Sequence, residues 1–296
     1  MKKRLPLIII TLMMLAGSGL LLFPDVSSWY NDMLQSSVIR AYDRHVRDLC
    51  EEEIASHLYR AAQHNDQLGA MCPTWPFIIG YRASLPEDYS CTLNVQGVMA
   101  WIDIPAVDIS LPIIHGSCQD VLDKGVGHIE GTAFPIGGIN THSALTAHTG
   151  RPTARMFTDL RDVEIGDVFF ISVMGKRLAY QVDDIRIIWP HEIEWLRIVP
   201  GQDLVTLITC YPYTINTHRL LVRGTRIPYE YDEAAAPAFS MANISPRVYV
   251  VAAFFLFYLY MMKMLKPEKD VVTAVAEETH DVCHCEDEGD PGAIQE

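Results

Sequence analysis

The residue with the clearest potential for chemistry in this sequence is Cys210, which follows the mostly apolar residues 204–209 and precedes a Tyr-Pro-Tyr turn. Residues 204–209 are mostly strand formers, and a side chain at a strand end is held by rigid backbone while it still reaches solvent. A cysteine beside apolar residues is more often an inert member of the core. A nucleophilic thiolate therefore requires a base or a positive charge close to the sulfur.

Candidates for those partners occur on either side of Cys210 in the sequence. His148 stands at the predicted end of a strand, and His142 lies six residues earlier on the same face of that strand, roughly 20 Å away. Only one of the two can serve Cys210, and His148 is the better candidate by position. Arg219 follows Cys210 across a short loop and could stabilise an oxyanion, with Arg223 as a competitor on the same strand face.

The two ends of the chain indicate on which side of a membrane these residues lie. Residues 1–24 combine a basic start with an apolar run, which predicts an uncleaved signal anchor, with a signal peptide as the alternative. Residues 246–266 form a second apolar run with lysines after it, which predicts a second membrane span. The positive-inside rule then places both ends in the cytoplasm and the intervening chain outside the cell. A buried core helix is the alternative for the second run.

The charge and cysteine content narrow the class of protein. Residues 267–296 hold ten acidic residues and one lysine, so they supply −9 of the net charge of −14 and are predicted to be a disordered cytoplasmic tail. The remaining chain is only mildly acidic, which argues against a nucleic-acid partner. Cys283 and Cys285 flank His284 in that tail, but this spacing is unlike a closed zinc site, and no metal or cofactor is predicted.

Five cysteines lie in the predicted external part, so pairing four of them would leave one free thiol. They are Cys50, Cys72, Cys91, Cys118 and Cys210. We hypothesise that Cys72 and Cys91 form a disulfide, because they flank one segment of an exported chain. Two unpaired thiols are the alternative.

The external part divides into three regions. Residues 25–70 show helical periodicity and predict an N-terminal helical arm, and residues 71–93 are a proline-containing, lid-like loop. Residues 94–232 carry short strands separated by turns, which predicts a closed or nearly closed β-barrel. The strands are predicted at residues 98–104, 111–114, 143–148, 168–174, 178–188, 204–209 and 220–225, with a short helix at 155–160.

Several ordered motifs in residues 97–228 resemble those of class C, pilus-polymerising sortases. They are TLITC at 206–210, YPYTINTHRLLVRG at 211–224, LPIIHG at 111–116, GVGHIEGT at 125–132 and NTHSALTAH at 140–148. The resemblance implies an eight-stranded β-barrel and a transpeptidase, with Cys210 as nucleophile, His148 as general acid and base, and Arg219 as oxyanion or substrate stabiliser. The implied partners are pilin or surface-protein precursors with LPXTG-like sorting signals, cleaved between Thr and Gly and joined to a pilin lysine.

The sequence also departs from the family pattern at the edge of the predicted site. Thr149 stands where the family usually has Arg, Tyr211 where it usually has Thr, and Thr214 where it usually has Gly. The Asp-Pro-aromatic triplet typical of a class C lid is missing between Cys72 and Leu93; either residues 75–77, WPF, replace it or the lid is absent. The alternatives are a housekeeping sortase that uses peptidoglycan, a barrel scaffold without turnover, and a general cysteine protease.

Overall fold

The computed structural model describes residues 5–70, 88–150, 154–192, 194–213, 215–229 and 246–264. Most of the lid-like loop, Cys72, residues 75–77, the Cys-His-Cys triplet and the acidic tail lie outside these ranges. The chain divides into two compact units, one of residues 1–22 with 243–296 and one of residues 23–242.

Four helices and eight strands make up the described chain. The helices are α1 (Leu5–Asp48), α2 (Glu51–Ala70), α3 (Gln119–Leu122) and α4 (Pro246–Met264). The strands are β1 (Ala100–Ile104), β2 (Ile109–His115), β3 (Val126–His128), β4 (Thr141–Thr146), β5 (Val168–Val173), β6 (Lys176–Ile188), β7 (Asp203–Tyr211) and β8 (His218–Ile227). Short 3-10 turns occupy Pro105–Val107, Thr158–Asp162 and Glu194–Leu196.

The apolar first part of α1 matches the predicted N-terminal anchor. Among the described residues, the stretch Ile9–Asp48 is the helix long and apolar enough to cross a membrane, and its most apolar window has a mean hydropathy of 1.8. Helix α4 forms where a second span is predicted, but its apolar part, Tyr249–Met261, falls short of the about 20 residues that cross a bilayer. The second span therefore stays a prediction.

The strands close into one barrel in the order β1-β2-β3-β4-β7-β8-β6-β5. Most neighbours are antiparallel, but β2 pairs with β3 and β4 pairs with β7 in parallel. The parallel β4–β7 pair joins segments that are separated by a long stretch of the barrel sequence. The prediction of a mainly β fold with an eight-stranded barrel is confirmed, and all seven strands expected from the sequence are present.

The eighth strand, β3, has three residues and is not expected from the sequence pattern. Its centre is Gly127, where an added side-chain carbon would lie 2.4 Å from the carbonyl oxygen of Gly116. Only glycine permits that approach of two backbones. The segment is too short for alternation of apolar and polar residues to identify it. The short helix expected at 155–160 is instead the 3-10 turn Thr158–Asp162.

The second half of α1 packs against the barrel along one face. Ile39, Tyr42 and Val46 are buried in the same core cluster as the barrel interior. The hydroxyl of Tyr42 donates to the carbonyl oxygen of Met99 at 3.1 Å and accepts from the backbone N–H of Met174 at 3.0 Å. These two bonds attach the helix to the start of β1 and to the β5–β6 turn, so the arm is part of the folded unit.

The side-chain amide of Asn65 attaches helix α2 to the backbone of Phe134. Asn65 is 4% exposed, and its side chain donates to the carbonyl oxygen of Phe134 at 3.1 Å and accepts from the N–H of Phe134 at 2.7 Å. Ala61 is fully buried one turn earlier. The residues between α2 and β1 that the structure describes begin at Asp88, and Tyr89 from that stretch donates a hydrogen bond to Nδ1 of His128 at 2.9 Å.

Candidate active site

Cys210 is the second-last residue of β7 and is half-buried. Directly opposite it on β8 is Arg219, in the antiparallel register Cys210↔Arg219. Residues paired in this way point to the same face of a sheet, with their Cβ atoms about 5 Å apart. The structure therefore places the Arg219 side chain beside the sulfur of Cys210.

His148 reaches the other side of Cys210 through the parallel pairing of β4 with β7. The register runs to Thr146↔Ile208, and β4 ends there, two residues earlier than predicted. Two contacts continue it: the N–H of Ala147 donates to the carbonyl oxygen of Ile208 at 3.2 Å, and Thr209 Oγ1 donates to the carbonyl oxygen of Ala147 at 2.9 Å. His148 thus lies level with Cys210 on the adjacent segment, at a typical spacing of about 4.8 Å between chains.

The three residues form one row across neighbouring segments, in the order His148, Cys210, Arg219. Alternation along β7 places Val205 and Leu207 in the barrel interior and Ile208 in a second apolar cluster. The other members of that cluster are Ala144, Leu221, Ile129 and Ile188, with Leu196 packed on it. Residues two apart on a strand lie on the same face of the sheet, so Cys210 lies on the same face as Ile208. That face is the outer face of the barrel, where a peptide can approach.

His142 occupies a different environment from His148. It is 1% exposed, its Nδ1–H donates to the carbonyl oxygen of Arg197 at 2.7 Å, and its Nε2 accepts from the hydroxyl of Thr206 at 2.7 Å. Burial lowers its pKa to about 4. His142 therefore attaches the β6–β7 connection to the barrel, and its contacts favour His148 as the imidazole that serves Cys210.

Acid should destabilise the fold through its two most buried imidazoles. Burial lowers the pKa of His128 to about 3 and that of His142 to about 4, whereas an unfolded histidine titrates near ~6.5. The stability they contribute is present above pH ~6.5 and is lost as pH falls towards their folded values, at about 1.4 kcal/mol per pH unit for each histidine. Burial raises the pKa of Asp103 and Asp203, whose uptake of protons opposes this loss at lower pH.

The measurement is urea unfolding at pH 7.5 and pH 5.5. We expect a clearly lower midpoint at pH 5.5 for the unaltered protein and a smaller difference for His142→Gln. His45→Gln, at an exposed position on α1, is the matched control and should keep the full difference. Equal midpoints at the two pH values in the unaltered protein would contradict the expectation.

Arg223, the alternative to Arg219, forms an ion pair with Asp183. Its guanidinium forms two hydrogen bonds with the Asp183 carboxylate, at 3.0 and 2.9 Å, and these bonds raise the pKa of Arg223. It also lies opposite Thr206, four residues from Cys210. Arg219 instead donates from Nη1 to the backbone carbonyl oxygens of Asn216 and His218, at 3.1 and 2.9 Å. Within the described part of the chain no carboxylate forms an ion pair with Arg219.

Two residues near α3 contact His148 and could not be identified from the sequence. The side-chain nitrogen of Gln119 is 3.1 Å from Nε2 of His148 and 2.9 Å from Oδ1 of Asp123. The same Oδ1 of Asp123 is 3.6 Å from His148 Nε2. Neither residue stands in a pattern that marks it, because polar residues on a short exposed helix are common.

The rim of the site includes two of the positions that depart from the family pattern. Tyr211 ends β7, and Thr149 follows His148. Tyr213 packs against Gly150, where an added side-chain carbon would lie 3.2 Å from the tyrosine ring. Thr214 lies outside the described residues. An aromatic ring therefore lies against the backbone two residues after His148.

The other cysteines of the described chain are unlike Cys210. Cys50, Cys91 and Cys118 are exposed free thiols. Among the described cysteines the structure therefore shows no pair. Free Cys91 agrees with the alternative of unpaired thiols, and Cys72 lies outside the described residues.

Comparison with known proteins adds an independent line of support. The sortase domain profile matches residues 102–227. Sortase C1 of GBS pilus island 1 is 40% identical, with a TM-score of 0.62 over 67% of this chain and 94% of that chain. Sortase C-1 of Streptococcus pneumoniae is 43% identical, with a TM-score of 0.60 over 66% of this chain and 100% of that chain.

A curated relative gives a more distant match. Sortase A of Bacillus anthracis is 25% identical over 143 residues, which are 48% of this chain and 66% of that protein. The match thus spans just under two thirds of the relative's length.

Proposed function

This chain belongs to the sortase family, and we propose that it is a membrane-tethered cysteine transpeptidase of the class C type, which joins pilin subunits. The observation that carries the proposal is the row of His148, Cys210 and Arg219 on the outer face of the barrel. A nucleophile, a base and a fixed cation on three adjacent segments are the groups that acyl transfer through a thioester requires.

The proposed reaction divides into two acyl transfers. In the first, Cys210 Sγ attacks the Thr carbonyl carbon of an LPXTG-like signal, and Arg219 stabilises the oxyanion. The C–N bond then breaks, His148 gives a proton to the leaving Gly amine, and a Thr thioester remains on Cys210. In the second, a lysine amine of the next pilin subunit attacks the thioester and loses a proton to His148. The C–S bond breaks, an isopeptide bond forms, and the thiolate is restored.

The position of Arg219 suits this role because its charge is available. A guanidinium that donates to backbone carbonyls is fixed in direction but keeps its net positive charge. Arg223, with its carboxylate partner, lacks that property. An oriented cation that acts on developing negative charge costs no reorganisation at the moment of reaction.

For the membrane arrangement we propose two spans. Residues 1–24, which include the start of α1, form the anchor, α4 within residues 246–266 returns the chain to the cytoplasm, and residues 25–245 lie outside the cell. The hydroxyls of Thr11 and Tyr258, one on each helix, form a hydrogen bond, which supports pairing of the two apolar helices. Residues 267–296 would then be a cytoplasmic tail, and the barrel of residues 94–232 would face pilin precursors.

Reactions with two acceptors, and one without an added acceptor, distinguish the proposed activity from its alternatives. The detergent-solubilised full chain would be mixed with a fluorescent LPXTG-like peptide and either a lysine-bearing pilin peptide, triglycine, or buffer alone, and the products identified by mass. We expect the lysine conjugate to dominate. Conjugation only to triglycine would indicate a peptidoglycan-directed enzyme, hydrolysis alone a protease, and no product a scaffold; each of these outcomes would overturn the proposal.

A further inference from the structure

We propose that Gln119 and Asp123 are positioning residues for His148 that stabilise its neutral and its protonated form in turn. The inference rests on the proposed function, because it assigns His148 the role of general acid and base. The contacts themselves stand independently of that role: Gln119 at 3.1 Å and Asp123 at 3.6 Å both face the same imidazole nitrogen, Nε2.

The orientation of the Gln119 amide follows from its second partner. A carboxylate only accepts hydrogen bonds, so the Gln119 atom 2.9 Å from Asp123 Oδ1 must be the NH2 group. That same NH2 group faces His148 Nε2. It therefore donates its other hydrogen to Nε2, which acts as an acceptor. This arrangement stabilises a neutral His148 with its proton on Nδ1.

Protonation of His148 changes Nε2 from a hydrogen-bond acceptor to a donor, so Nε2 then pairs better with Asp123 than with Gln119. Nε2 then carries a hydrogen, and the NH2 group of Gln119 is a second donor that can no longer pair with it. An acceptor for that hydrogen is Asp123 Oδ1, which lies 3.6 Å from Nε2. A rotation of the imidazole or of the Asp123 side chain that moves the atoms by about 1 Å completes a charge-assisted bond of ordinary length. The pair thus offers a partner to each protonation state.

A base that gains and loses a proton in every catalytic cycle benefits from such a pair. His148 must be protonated when the Gly amine leaves, becomes neutral by giving that proton away, and is protonated again by the attacking lysine amine. The Asp123 carboxylate favours the imidazolium, and the Gln119 amide favours the neutral ring. The side chains of His148 and Asp123 are 22% and 41% exposed, so water weakens the interaction, and we expect a moderate effect.

The charged and titratable groups around His148 come from four segments. Asp120, Asp123 and Lys124 lie on or after α3, Cys210 on β7 and Arg219 on β8, while Tyr213 covers Gly150. Arg151 follows in the sequence, outside the described residues. Of these, Asp123 is the carboxylate with an ion-pair distance to the imidazole among the described residues.

The decisive measurement is the pKa of His148 itself. The full chain with Cys210→Ala, in detergent and with ¹³C-labelled histidine, would be titrated by NMR, and the His148 signal assigned by its loss in His148→Gln. Adding Asp123→Asn should lower the pKa by about 0.5 to 1 unit, since an opposite charge within about 4–6 Å favours the protonated form. Adding Gln119→Ala should raise it, because the neutral form loses its donor.

Two comparisons make the test specific. Asp120→Asn removes the same charge three residues earlier, within α3, and should leave the titration of His148 unchanged. Asp123→Glu keeps the carboxylate and should keep the pKa of His148 close to that with Asp123. With Cys210 present, Asp123→Asn should lower kcat of peptide transfer about tenfold and leave KM close to its original value. An unchanged titration in Asp123→Asn, or a shift equal to that in Asp120→Asn, would overturn the proposal. Because the titration needs no turnover, it decides this question even if the acceptor experiment fails.

Discussion

Replacement of Cys210 with alanine should abolish formation of the thioester with an LPXTG-like peptide. The proposed first step depends on the Cys210 sulfur, because the sulfur forms the bond that replaces the scissile amide, and Cys210 is the only cysteine of β7. Loss of a nucleophile commonly lowers kcat by several orders of magnitude, and we expect a fall of at least about 10³-fold. The measurement is the mass of the protein after incubation with the peptide and acid quenching, together with the rate of peptide release.

Cys118→Ala is the matched control for this change. Cys118 is an exposed free thiol at the start of α3 and precedes Gln119, so it is near the site but outside the row. Its removal should leave thioester formation intact. If Cys210→Ala were as active as the unaltered protein, the assignment of the nucleophile would be wrong. Circular dichroism of both variants should be unchanged, because Cys210 is only half-buried.

His148→Ala should reduce kcat/KM by about 10² to 10⁴-fold, the range that general acid–base catalysis contributes. Without the imidazole, the leaving Gly amine must depart without a nearby proton donor, and the attacking lysine loses its base. His142→Ala should have a far milder effect on kcat/KM. The second change leaves Thr206 with one less partner and should instead lower stability by about 1–3 kcal/mol.

The comparison requires two measurements on the same pair of variants. Steady-state transfer of the peptide to a lysine acceptor gives kcat/KM, and urea unfolding at pH 7.5 gives the free energy of unfolding. We expect His148→Ala to lose activity and keep its free energy of unfolding. We expect His142→Ala to keep its activity and unfold more easily. The opposite ranking in kcat/KM would mean that His142 is the catalytic imidazole.

Much of the architecture could be predicted because it is encoded locally. The alternation of residues along β5 and β6, with the Met174–Gly175 turn between them, identifies a hairpin without knowledge of the rest of the chain. The apolar start of α1 is equally local. The strand β3 could not be found in this way, because its three residues are placed by pairing with β2 and β4, which neighbouring sequence does not determine.

The candidate site could be predicted only in part, for the same reason. Cys210 and Arg219 are joined by a short loop, so the sequence could suggest that they meet across a hairpin. His148 is preferred over His142 in the sequence on position alone, since nothing local shows which imidazole meets the sulfur. The structure supplies what was missing: His142 has a hydrogen-bond partner at each ring nitrogen, and His148 lies level with Cys210.

By itself, the sequence determined that a strand ends in a cysteine, that a basic and apolar segment begins the chain, and that ordered motifs of one family cover the barrel. These are properties of neighbouring residues, and local periodicity or motif order expresses them. The tertiary structure decided that β4 and β7 run in parallel side by side, which brings His148 to Cys210 across 62 residues of sequence. It also brought α3 against the imidazole, because contacts between distant segments depend on barrel closure and strand register.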